Sequence, residues 1–85
     1  MVEIQHTIKD ELGIHARPAA QLVKKACEFS CIVKIGTFIK MVDAKRVMGV
    51  MGLALKKGDI LTMTFDGIDE VRAANEMEVF LAENL

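Results

Sequence analysis

The chain has one proline, Pro18, and it fixes where a helix can begin. A proline ring locks φ and removes the N–H, so it is tolerated in the first turn of a helix and disruptive further along. Upstream, Gly13 supplies the backbone freedom that a tight turn needs. The segment between them therefore passes from turn to helix, with His15 at the junction. Before it, Val2, Ile4, His6 and Ile8 alternate with Glu3, Gln5, Thr7 and Lys9, the period of a half-buried strand. His6 falls in the apolar phase and reads as a satisfied, partly buried residue. The chain thus opens with a strand, a turn over Lys9 to Gly13, and a helix from about Ala16 to Cys27.

Ala19, Leu22, Val23 and Ala26 recur at helical spacing as the core stripe of that helix. Arg17, Ala20, Lys24 and Cys27 form a second stripe, which starts beside His15. Its cations, small residue and thiol suit a contact surface better than a core. Cys31 to Ile35 and Phe38 to Val42 read as strands joined by a two-residue link, Gly36-Thr37. A short helix follows, roughly Arg46 to Leu53, apolar at Val47, Met48, Val50 and Met51 but weakened by Gly49 and Gly52. Such a helix leaves part of its apolar surface exposed, and an exposed methionine adapts readily to a partner. After a turn at Lys56 to Asp59, Ile60 to Phe65 alternates as a fourth strand, with Leu61, Met63 and Phe65 inward. Asp69 and Glu70 suit the start of a last helix, whose buried stripe is Ala73, Ala74, Met77, Phe80 and Leu81. The order βαββαβα implies an α+β fold with a small, mostly antiparallel four-stranded sheet and three helices on one face. Eighty-five residues allow one domain, 1–85, with one modest core.

The junction at His15 carries the chemistry. No side chain at Ala16 can cap the helix, so its first N–H groups lack a local acceptor. Free N–H groups at the positive end of the helix dipole attract an anion, and the Arg17 guanidinium fits phosphate oxygens. A phosphate held there would lie beside an imidazole. Each feature alone has an ordinary surface reading; together they point to phosphorylation of a histidine.

Gly13-Ile14-His15-Ala16-Arg17-Pro18-Ala19 closely resembles the active-site signature of HPr, the histidine-containing phosphocarrier family of the bacterial phosphotransferase system. Asp43-Ala44-Lys45-Arg46-Val47-Met48-Gly49-Val50-Met51 looks like the family's second signature, so the resemblance covers essentially the whole chain. It implies an open-faced β-sandwich, with His15 as the acceptor and attachment at Nδ1. It also implies Ala16 and Arg17 backbone N–H groups around the phosphate, with Arg17 adding its side chain. Docking would fall to Ala20, Lys24, Cys27, Val47, Met48, Gly49 and Met51. The implied partners are enzyme I, as donor, and sugar-specific IIA components, as acceptors. The chain would be a relay with a phosphohistidine intermediate rather than a stand-alone enzyme, without cofactor or metal and working as a monomer. One position departs from the pattern: Arg46 stands where many relatives carry a serine phosphorylated by a regulatory kinase. Two alternatives follow, a non-catalytic regulatory binding module and a specialised paralogue free of serine-kinase control.

Composition narrows the remaining classes. No apolar run approaches the ~20 residues of a membrane span and no signal-peptide pattern opens the sequence, so a cytoplasmic protein without direct membrane insertion is expected. Cys27 and Cys31 then read as reduced packing thiols, because CxxC spacing and partner ligands for a metal are missing. From His15 to Gly58 nine Lys or Arg face only Glu28 and Asp43, a basic zone suited to acidic or phosphorylated partners. Nucleic acid is not expected, since the chain carries a net charge of −1 and does not interleave its cations with aromatics.

Overall fold

A computed structural model describes residues 1–85. The elements are β1 (Val2–Thr7), α1 (Ala16–Ala26), β2 (Ile32–Gly36), β3 (Met41–Asp43), α2 (Val47–Gly52), β4 (Ile60–Asp66) and α3 (Glu70–Asn84). The strands lie in the order β1-β4-β2-β3, and every pairing is antiparallel. The sheet is antiparallel throughout, in keeping with the expected α+β fold. β4 takes an interior place because its inward residues, Leu61, Met63 and Phe65, are its most completely buried. Met63 stands between Ile4 of β1 and Ile35 of β2, and Phe65 lies opposite Val33, so alternation on three strands builds one apolar layer. Pro18, Ala19, Leu22 and Ala26 of α1, Val50 of α2, and Ala73, Ala74, Met77 and Leu81 of α3 face inward from the helices. Each buried large aliphatic or aromatic side chain contributes roughly 1.5–3 kcal/mol, against ~0–1 kcal/mol for a surface ion pair, so this layer dominates stability.

Three local expectations need correction. The β2–β3 link is not a two-residue Gly36-Thr37 turn: Gly36 lies within β2 and pairs with Met41. The Thr37 N–H donates to the Lys40 carbonyl at 3.0 Å, and the Thr37 hydroxyl accepts from the Ile39 N–H at 3.2 Å and the Lys40 N–H at 3.4 Å. That hydroxyl closes a four-residue turn and leaves Phe38 exposed. Gly36 is needed for a different reason, since a Cβ there would lie 1.9 Å from the Lys40 carbonyl oxygen.

His6 is partly buried, as its strand phase implied, but it is not satisfied. Its Nε2 is buried without a hydrogen-bond partner, which costs roughly 1–3 kcal/mol. Cys31 is a buried packing thiol, whereas Cys27 is exposed, with Sγ 3.9 Å from the Lys45 carbonyl oxygen. Burial, aided by the Asp69 carboxylate, pushes the Cys31 thiol above its ordinary value and keeps it neutral.

Asp69 occupies the N-cap of α3 but does not cap it. Its carboxylate instead accepts the Ser30 and Cys31 N–H groups, each at 2.9 Å, tying the start of α3 to the turn after α1. The Ser30 N–H is the first cause holding this carboxyl below its ordinary value of 3.8, with the Cys31 thiol and N–H adding to it. A depressed carboxyl stabilises the fold fully above its unfolded pKa and ceases to do so as pH falls through the folded one. Asp69→Asn is therefore expected to flatten the loss of stability below about pH 4, measured by urea melts across pH. An unchanged acid limb would show that Asp69 does not govern it.

Candidate functional site

His15 occupies the N-cap of α1 with extended φ and ψ of −110° and −177°, and its side chain makes no capping bond. The helix's hydrogen bonding starts with the Ala19 N–H on the His15 carbonyl at 3.0 Å. Pro18 has no N–H, and those of Ala16 and Arg17 have no acceptor, so two donors remain free at the positive end of the helix. The uncapped start expected from Ala16 is present.

Several bonds hold the loop that presents His15. The Asp10 carboxylate accepts the Leu12 N–H at 2.9 Å and its carbonyl accepts the Gly13 N–H at 3.0 Å. The Lys9 and Asp10 N–H groups donate to the Leu85 carbonyl at 2.6 and 3.1 Å. Glu11 pairs with Lys57 at 2.6 Å. The Ile14 N–H donates to the Leu55 carbonyl at 3.0 Å, while the Ile14 side chain is buried in the core. Gly13, at φ +65°, passes so close to Leu55 that a Cβ would lie 2.3 Å from its carbonyl oxygen. The Leu55 side of this contact is also constrained: Ala54 reverses the chain after α2 at φ +53°, a left-handed conformation costing an alanine roughly 1–2 kcal/mol.

His15 and Arg17 line one open recess of about 310 Å³, together with Asp10, Pro18, Gln21 and Asn84. His15 is half-buried and Arg17 exposed, so the ring is held yet reachable and the guanidinium is free to close on an anion. Asp10, Gln21 and Asn84 were missed as site residues. Asp10 had a local signal, an Asx turn just before Gly13, but Asn84 comes from the far end of α3 and gives none.

The proposed docking residues lie on two helices that pack together. Ala20 and Lys24 are exposed along α1, and Cys27 is exposed at its C-cap. On α2 only Val50 is buried; Met48 is 79% exposed, Val47 and Met51 are more than one-third exposed, and Gly49 lies over Val42. Arg46 is the N-cap of α2 without a capping bond, and its Nε lies 3.6 Å from Asp43 Oδ2. Asp43 thereby offsets the misplaced positive charge, and its other oxygen accepts the Lys45 N–H at 2.9 Å. Lys45 Nζ reaches the Phe29 carbonyl oxygen at 2.8 Å, joining the approach to α2 to the end of α1.

A family model described as the PTS HPr component phosphorylation site matches residues 2–83. Phosphocarrier protein HPr of Lysinibacillus sphaericus is 46% identical over 79 residues, which cover 93% of this chain and 90% of that one. HPr-like protein Crh of Halalkalibacterium halodurans is 38% identical over 81 residues, covering 95% and 96%. The crystal structure of HPr-C-His from Thermoanaerobacter tengcongensis matches with a TM-score of 0.90 at 34% identity, over 96% of this chain and 92% of the other.

Proposed function

The chain belongs to the PTS HPr family, and from that premise we propose that His15 accepts a phosphoryl group from phosphorylated enzyme I and passes it to sugar-specific IIA components. The observation that carries this is the placement of His15, Arg17 and two free helix N–H groups at one open recess. A neutral imidazole nitrogen attacks phosphorus in line, the bond to the donor's nitrogen breaks, and the donor imidazole keeps the electron pair. The Ala16 and Arg17 N–H groups and the Arg17 guanidinium meet the oxygens of the arriving group. Little covalent work is asked of the protein; positioning and charge complementarity do the rest. The same groups stabilise the phosphorylated state, and because they sit at the surface they do so only moderately, as onward transfer requires.

Residues 1–85 would act as one domain in the cytoplasm. No helix is long and apolar enough to cross a membrane. The exposed faces of α1 and α2 would dock donor and acceptor in turn, with Arg46 adding permanent positive charge where a phosphorylatable serine would place a negative one. The specialised-paralogue alternative rests on that residue. The relative named HPr-like protein Crh keeps a regulatory module in view, but His15, Arg17 and Pro18 assembled at one recess favour a carrier.

The test is transfer from phosphoenolpyruvate through enzyme I to this chain and on to a IIA component. Met48→Asp is expected to weaken docking in that assay at least ten-fold while changing stability by no more than about 0.5 kcal/mol, because an exposed side chain is lost from the interface and not from the core. A large drop in melting temperature would place Met48 in the core, and unchanged transfer would remove it from the docking face.

A further inference from the structure

The recess that presents His15 contains opposed charges. Arg17 and the N-terminus of α1 favour a phosphate there, and Asp10 does not. We propose that Asp10 sets the phosphoryl-transfer potential of this chain: its fixed carboxylate opposes the charge on phosphorylated His15 and keeps the phosphohistidine a ready donor. This rests on the reading of His15 as the acceptor.

Asp10 is tied into its loop by three hydrogen bonds, one of them to its carboxylate. Its Oδ1 accepts the Leu12 N–H at 2.9 Å, its carbonyl accepts the Gly13 N–H at 3.0 Å, and its own N–H donates to the Leu85 carbonyl at 3.1 Å. The carboxylate is therefore pinned by the loop that also positions His15. No cation lies within salt-bridge distance of it, whereas the neighbouring acid, Glu11, is paired with Lys57. The remaining lining does not cancel its charge. Gln21 and Asn84 are neutral, and one of the two Asn84 amide N–H groups is taken by the Phe80 carbonyl at 2.9 Å. Asn84 also closes α3, so the negative end of that helix dipole borders the recess.

Phosphorylation of a neutral His15 adds one net negative charge to this recess, two on the phosphoryl oxygens against one positive on the ring that keeps its proton. Through water, one carboxylate lining the same recess disfavours that state by a few-fold, less as salt is added. The opposition acts on the charged group in the ground state and is relieved when the group leaves. In transfer, the acceptor's nitrogen bonds to phosphorus, the P–N bond to His15 breaks, and His15 recovers the electron pair as a neutral imidazole. Asp10 touches no reacting bond; it is a positioning and charge-setting residue.

Asp10→Asn is the informative variant, because an asparagine oxygen can still accept the Leu12 N–H while the charge is gone. Purified wild type and variant are each equilibrated with enzyme I and labelled phosphoenolpyruvate–pyruvate mixtures, and the phosphorylated fraction is read by intact mass at low and ~1 M salt. The expected result is an equilibrium shifted a few-fold toward the phosphorylated variant at low salt, shrinking at high salt, with unchanged melting temperature. Asp10→Ala should show the same shift with reduced stability, since the turn bond is also lost. Equal phosphorylation equilibria for wild type and Asp10→Asn at both salts would overturn the proposal alone. Failure of wild type to accept any label would overturn the carrier reading with it.

Discussion

Gly13→Ala is expected to destabilise the protein by about 2 kcal/mol or more and to slow phosphorylation of His15, although position 13 touches neither phosphate nor partner. At φ +65° an alanine pays the left-handed penalty, and its Cβ would start 2.3 Å from the Leu55 carbonyl oxygen and 2.8 Å from the Lys56 Cα. Both obstacles are backbone, so relief must come by moving the loop. That movement breaks the Ile14 N–H bond to Leu55 and draws the buried Ile14 side chain outward, carrying His15 with it. Urea melts measure the first effect, and the initial rate of label transfer from enzyme I measures the second. A variant as stable and as fast as wild type would show that the Gly13–Leu55 contact does not position the site.

His15→Ala should have the largest functional effect and almost no structural one. The ring makes no capping bond and is half-buried, so its removal is expected to change stability by within about 0.5 kcal/mol. Acceptance of the phosphoryl group should fall to zero. His6→Ala should retain it, because His6 lies in β1, half-buried in a strand and not at a helix start. Truncation of His6 also removes an imidazole nitrogen whose burial is uncompensated.

What could be read from the sequence was whatever is decided within a few neighbouring residues. Pro18 and the absent cap at Ala16 placed the start of α1, and alternation placed Leu61, Met63 and Phe65 inward, because both signals follow from backbone geometry alone. The β2–β3 turn was misjudged where a side chain competes with the backbone: the Thr37 hydroxyl organises four residues, and Gly36 is required by the approach of Lys40 rather than by turn geometry. Asp69 looked like a simple helix-start residue, but its carboxylate is used by Ser30 and Cys31, far away in sequence. The recess shows the same division. His15 and Arg17 stand in one motif, while Asn84 arrives only because α3 packs on β1 and β4. Arg46 was legible as a charge beside α2 but not as the partner of Asp43, since that pairing depends on how β3 leads into the helix.

The most direct measurement is the intact mass of the chain after incubation with enzyme I and phosphoenolpyruvate, followed by peptide mapping and a mild acid chase. One phosphoryl group on His15, lost in acid and absent from His15→Ala, is the expected result. A phosphoryl group on His6 or on a hydroxyl side chain, or no mass gain in fully folded protein with active enzyme I, would contradict the assignment of His15 as the acceptor.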